Sequence, residues 1–259
     1  MSGGTPKVRP AAVAGTFYPQ DAGALRAQVD ALLAGARPGE GPGPKALVAP
    51  HAGYMYSGPI AAAAYATVAP PIHRVVLLGP AHYVPFRGVA LPDAEAMWTP
   101  LGEVEIDCAG LPDVRRNEAA HAREHSLEVH LPFLQRRLGE FSLVPLVVGD
   151  APAGEVAEVL EATWGGPDTL VVVSTDLSHY LPYRVAQSRD ERTARRIEAL
   201  EPVEDDDACG AAPLNGLLAV ARKRKMRVQR LDLRNSGDTA GDRSRVVGYG
   251  AFALLEVSG

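Results

Sequence analysis

The chain has 259 residues, of which 46% are hydrophobic and 22% charged, with a formal net charge of −5. Such a composition buries a sizeable core, which excludes whole-chain disorder, and its acidic balance argues against nucleic-acid binding. No apolar run approaches the roughly 18 residues of a membrane span, Met1–Lys7 holds no apolar signal core, and two cysteines make no disulfide framework, so a cytoplasmic protein is expected.

The first predicted element is a helix over about Ala22 to Ala34, followed by a Pro/Gly-rich loop from Gly35 to Pro44. Lys45 to Ala49 is a short apolar run, and Ser57 to Thr67 is an Ala-rich helical stretch. Arg74 to Leu78 reads as a buried strand. Leu127, Leu131, Leu134 and Leu138 recur at helical spacing, with Pro132 kinking or restarting that helix and Ser126 opening it. Strands at Leu143–Val148 and Thr169–Val173 alternate with helices at Gly154–Thr163 and Tyr183–Leu200. A helix over Leu214–Arg224 and strands at Val228–Leu233 and Val246–Leu255 complete the chain. Apolar strands alternating with amphipathic helices predict an α/β fold, one domain over residues 1–259, with a mainly parallel central sheet covered by helices on both faces.

Polar residues concentrate after the strands. Lys45–Ala49 runs into Pro50-His51-Ala52-Gly53-Tyr54, and Arg74–Leu78 into Gly79-Pro80-Ala81-His82-Tyr83. Thr169–Val173 runs into Ser174-Thr175-Asp176-Leu177-Ser178-His179-Tyr180, and Val228–Leu233 into Arg234-Asn235-Ser236-Gly237-Asp238. Ligands of open α/β sheets bind beyond the carboxyl ends of the strands, so these segments converge on one edge. A single histidine after a strand is most often a turn or surface residue. Three of them, each followed closely by Tyr, favour a site. Imidazole is the commonest metal ligand, and two His with a carboxylate suit non-haem Fe(II). His51 and His82 are the first ligand pair. Asp176 and His179, three residues apart, share a turn in which the carboxylate orients the imidazole as a base.

Three other signals compete. His121-Ala122-Arg123-Glu124-His125 satisfies the H-x-x-E-H pattern of a zinc peptidase, which needs both histidines on one helix face. The expected helix boundary near His125 breaks that face, leaving His121 in solvent while His125 reaches the site from its loop; His73 and His130 are read as structural or surface residues. The basic run Arg222-Lys223-Arg224-Lys225 is explained by the negative end of a helix dipole. Gly237 to Arg243 lacks the glycine spacing and the lysine of a nucleotide loop. Cys108 and Cys209 lack metal-type spacing and read as small hydrophobes.

Several blocks in order resemble the Memo-like proteins, called AmmeMemoRadiSam system protein B in prokaryotes. They are Arg9 to Pro19, Ala49 to Gly58, Leu78 to His82, Glu124 to Phe133, Ser174 to His179, Asn235 to Asp238 and Val247 to Tyr249. The resemblance implies a fold like the class III extradiol dioxygenases, which hold Fe(II) by two His and a carboxylate. It implies His51 and His82 as ligands of iron, or of another divalent or copper ion. His125, Asp176 and His179 would then be acid–base residues. Some Memo-like proteins carry a cysteine where this chain has Thr239, so the third ligand is expected at Asp238 beside it, or at Asp242. The function expected is that of an oxidoreductase on a small substrate. The alternatives are a binding module holding a small molecule or peptide in the same pocket, and the zinc peptidase of His121, Glu124 and His125. The family name also implies a functional link to AMMECR1-like and radical SAM proteins. No nucleic-acid or membrane partner is expected.

Overall fold

A computed structural model of the chain describes residues 7–39, 41, 43–69, 71–108, 111 and 114–256. Met1 to Pro6 and part of the Gly35–Pro44 loop lie outside the described residues. The N-terminal half holds β1 (Val8–Arg9), α1 (Ala22–Gly35), β2 (Ala46–Ala49), α2 (Tyr54–Tyr65), β3 (Arg74–Pro80), β4 (Val89–Leu91), β5 (Ala96–Thr99), β6 (Gly102–Glu105) and β7 (Arg115–Arg116). Then come α3 (Glu118–Ala122), a 3₁₀ turn (Glu128–His130), α4 (Leu131–Leu138), β8 (Ser142–Val148), α5 (Ala153–Thr163), β9 (Thr169–Ser174) and β10 (His179–Leu181). The chain closes with α6 (Tyr183–Glu198), α7 (Ala211–Lys223), β11 (Arg227–Asn235), α8 (Ser236–Thr239) and β12 (Val246–Leu255).

The large sheet runs β10-β12-β2-β9-β3-β8-β4-β7, with β11 paired to β12. Its centre, β2-β9-β3-β8, is parallel throughout. Its flanks are not: β12 runs antiparallel to β2, β10 and β11, and β4 antiparallel to β8. The sheet is therefore mixed, where the alternation of strands and helices predicted a mainly parallel one. The reason is local. No long helix separates β11 from β12, and a short connection permits only the antiparallel return.

Successive residues of the central strands face opposite sides, as the pleat requires. Leu47, Val75, Leu77, Leu143, Leu170 and Val172 pack with α1, α2 and α4 on one face. Val48, Val76, Leu78, Val144, Val171 and Val173 pack with α5, α6 and α7 on the other. This two-sided burial explains why these strands read as continuous apolar runs. It also leaves their carboxyl ends as the place where the polar loops collect. β11 is two antiparallel steps from β2, so it points the same way and ends at the same edge. Among the described residues, no helix is long and apolar enough to cross a membrane.

A candidate metal centre at the strand ends

His51 follows β2 and is 2% exposed. Its orientation follows from Ser174, the last residue of β9. The Ser174 hydroxyl has one hydrogen, which it donates to the Ser126 carbonyl at 2.6 Å. Both imidazole nitrogens beside it, His51 Nδ1 at 2.6 Å and His130 Nε2 at 2.8 Å, must therefore donate to its oxygen. His130 in turn accepts from the Tyr65 hydroxyl at Nδ1, 2.8 Å away. The chain of bonds leaves His51 Nε2 as a bare lone pair, 3.3 Å from the Cys209 sulfur. Burial, and then the neighbouring histidines, hold His51 well below the usual imidazole range, so it is neutral.

His82 is fixed in the same way by a different group. Its Nδ1 donates to Glu124 Oε1 at 2.9 Å, because a carboxylate only accepts, and its Nε2 is left free. Glu124 also accepts from the backbone N–H groups of His82, His125 and Ser126 at 2.6, 2.9 and 2.9 Å. Burial alone would raise its carboxyl pKa. The hydrogen bonds and the charge of His82 outweigh that and hold it at about 2. Gly79 makes this approach possible, since a Cβ there would meet Ser126 Oγ at 2.7 Å.

The rings of His51, His82 and His125 lie 4.7 to 5.4 Å apart, centre to centre. Burial pushes His125 down to about 4. Ligand atoms of His51, His82 and Cys209 lie within 4.8 Å of one another, as do those of His82, Glu124 and His125. The second group is the hydrogen-bonded hub just described. The first offers two lone pairs and a sulfur with no carboxylate between them. Loss of solvent around Cys209, followed by the charge of Asp176, pushes its thiol up to about 12. Gly210 lets this loop close over β9, because a Cβ there would meet the Ser174 carbonyl at 2.5 Å.

Other expected residues stand elsewhere. Asp238 is not in either donor group. Its Oδ2 accepts from Asn235 N at 3.0 Å in a capping box, and its Oδ1 takes the Tyr183 hydroxyl. Asp242 accepts from the N–H and hydroxyl of Ser244, two residues on. Asp242 is satisfied within its own turn, and Asp238 by its own turn together with Tyr183 of α6. Asp176 does not orient His179. It accepts from the N–H of His51 at 2.8 Å and from that of Ala52, and burial raises it to about 7. The His179 ring bonds the Leu177 carbonyl instead and stands at the exposed mouth. Ser126 caps no helix: it donates to the Pro80 carbonyl, and the next turn starts at Glu128.

His121 was expected in solvent and is 1% exposed, its Nε2 on the Ala90 carbonyl at 2.9 Å. α3 ends at Ala122, so His121 and His125 share no helix face. Sequence reasoning read Cys209 as a small hydrophobe and His130 as a structural or surface residue, and it placed Glu124 only in the zinc-peptidase pattern, not as the acceptor that holds His82. Cys209 precedes a Gly at the start of a helix, the one local signal that a loop closes tightly there.

The fold and this cluster define an α/β protein with a histidine-lined, metal-competent centre at the carboxyl edge of its sheet. The family model described as Memo-like protein matches residues 9–253. A MEMO1 family protein of Aquifex aeolicus is 38% identical over 270 residues, covering 96% of this chain and 100% of that one. Relatives of the same name from Methanothermobacter thermautotrophicus and Methanopyrus kandleri are 36% and 39% identical, each covering at least 93% of this chain and 98% of their own. The chain belongs to the Memo-like family.

Proposed function

We propose that the cluster holds a single metal ion through His51 and His82, with Cys209 as third donor, and that the protein is an oxidoreductase acting on a small substrate. One observation carries the reading. A buried imidazole, His51, and an exposed one, His82, each have Nδ1 anchored by an acceptor, so each presents a bare Nε2 beside the same sulfur. Anchoring of the far nitrogen by a carboxylate or other acceptor is the usual support of a metal-bound histidine. The donor set fits a transition metal. Iron is what the resemblance to class III extradiol dioxygenases implies; a His-His-Cys set also suits copper or zinc.

A bound redox metal would supply electron transfer and polarisation of a substrate oxygen. The chain's own residues do the rest. His179, at the mouth with one ring nitrogen on Leu177, takes a substrate proton at the other. His125, neutral and beside Tyr83, stabilises the negative charge that develops. Asp176 holds the backbone of His51 and Ala52 and so sets the height of the first ligand.

The test begins with metal analysis of protein purified without added metal, followed by O₂ uptake on a catechol panel. Anaerobic Fe(II) at a hundredfold over Kd should stabilise the wild type by about 2.7 kcal/mol, which is roughly 5–10 °C in Tm. His51→Ala should lose that gain, Cys209→Ser should lose most of it, and Asp238→Asn should keep it. An equal response in wild type and His51→Ala overturns the reading and leaves a histidine-lined binding module. Zinc alone, without O₂ uptake, removes the oxidoreductase.

A further inference from the structure

Phe252, Ala253 and Leu254 of β12 pair with β2 and with β11 at once. The two partners therefore lie on opposite edges of β12, which makes β11 the outermost strand. It is nine residues long, and no strand among the described residues pairs with its outer side. No backbone hydrogen bond from a described turn or loop reaches it either. Its outward N–H and C=O groups are thus a template on which another strand can form. A register shift between Arg230 and Asp232, with a series of arginines, blunts this edge against a second copy of itself. Those same arginines favour a partner of the opposite charge.

A trough of about 1030 Å³ runs along the edge, between β11 and the helices α1 and α2. Leu32 of α1, Ala63 of α2 and Ala253 of β12 give it an apolar lining. Arg227, Gln229, Leu231, Asp232 and Arg234 line it from β11, whereas Val228 and Leu233 pack on the α6 side of the sheet. Arg230 is held by Glu191 and Glu198 of α6, and Arg234 by Asp232. Arg227 and Arg37, the latter just beyond α1, also line the trough and are exposed. Neither forms a salt bridge with any described residue. In a chain of net charge −5, this end of the trough is locally positive. A strand added to β11 turns every second side chain towards the trough, over apolar residues and beside these two guanidiniums.

We propose that β11 accepts an extended acidic segment of another protein as an added strand. The backbone of that segment pairs with the open edge, its apolar side chains enter the trough, and its carboxylates meet Arg227 and Arg37. The site lies outside the histidine cluster, and its occupation requires no metal. The probe is the capped peptide Glu-Thr-Val-Thr-Val-Thr-Glu, whose acidic residues and valines share one face and whose symmetry suits either strand direction. One control replaces both glutamates by lysine. The other is Glu-Thr-Pro-Pro-Val-Thr-Glu, which keeps the charge but lacks two neighbouring N–H groups, one of which must face β11. Affinity is measured by NMR titration and location by amide hydrogen exchange. The acidic peptide should bind at least about tenfold more tightly than either control and should slow exchange along β11. Arg37→Glu with Arg227→Glu, both at exposed positions, should reverse the preference in favour of the lysine peptide. Equal binding of the acidic and lysine peptides, undiminished acidic binding in the double variant, or no peptide binding overturns the proposal. So does slowed exchange at the histidine loops in place of β11. Slowing of β11 by raised protein concentration alone overturns it too, since a second copy then covers the edge.

Discussion

Residues 121–130 and residues 235–243 both end near the same sheet edge, and both carry carboxylates that the sequence marks as candidates. They use them in opposite ways. Glu124 and Glu128 reach across the molecule. Glu128 accepts from Arg9 at 2.8 Å, the Ala12 and Val13 backbones at 2.7 and 3.0 Å, and the Tyr18 hydroxyl at 2.6 Å. Arg9 in turn donates to the carbonyls of His121 and Glu124. The N-terminal strap, the 121–130 segment and the histidines are thereby one buried network. Asp238 and Asp242 instead spend their oxygens mostly on their own turns. A carboxylate that caps its own turn is exposed and cheap to place, whereas one that serves distant N–H groups must be buried and fully satisfied.

The contrast predicts unequal mutational costs. Glu128→Ala leaves the Arg9 guanidinium buried without its partner, so urea unfolding should show a loss of about 3–5 kcal/mol. A loss below about 1 kcal/mol would mean that the strap is not part of the cooperative structure. Glu124→Gln should cost about 1–3 kcal/mol, since an amide NH₂ must face N–H groups that the carboxylate accepts from. It should also free the His82 ring, seen as a loss of its slow-exchanging Nδ1 proton by NMR.

Acid should separate the two regions as well. Burial pushes His121 down to about 4 and His130 to about 3, below the ordinary value of 6.5 that each regains on unfolding. Their neutral forms are favoured in the folded state, so the unfolded chain binds more protons below pH 6.5. Stability is full above about pH 6.5 and falls as pH drops towards 4 and then 3. His121→Gln should flatten the upper part of that slope; an unchanged slope would place the titration elsewhere. At the small end, Asp238→Asn removes only one turn's capping and should cost no more than about 1 kcal/mol in thermal unfolding. A larger loss would show that the 235–243 turn is tied into the core after all.

Short-range pattern governs the part of this fold that can be read along the chain. Continuous Val/Leu runs specify strands buried on both faces, amphipathic spacing specifies their covering helices, and the strand-end loops put His51, His82 and His179 at one edge. Helix α1, the β9 strand and the β12 strand are legible for that reason. The pairing of polar groups over more than thirty residues is set by packing instead. Cys209 lies 158 positions from His51 in sequence and 3.3 Å from it in space. Glu124 meets His82 across 42 positions. Periodicity carries no record of such contacts, because a buried donor is satisfied by whichever acceptor the fold brings within reach. The same fact explains the misplaced Asp238. Sequence shows that a carboxylate is near the right edge, and only packing shows that Asn235 and Tyr183 already hold it.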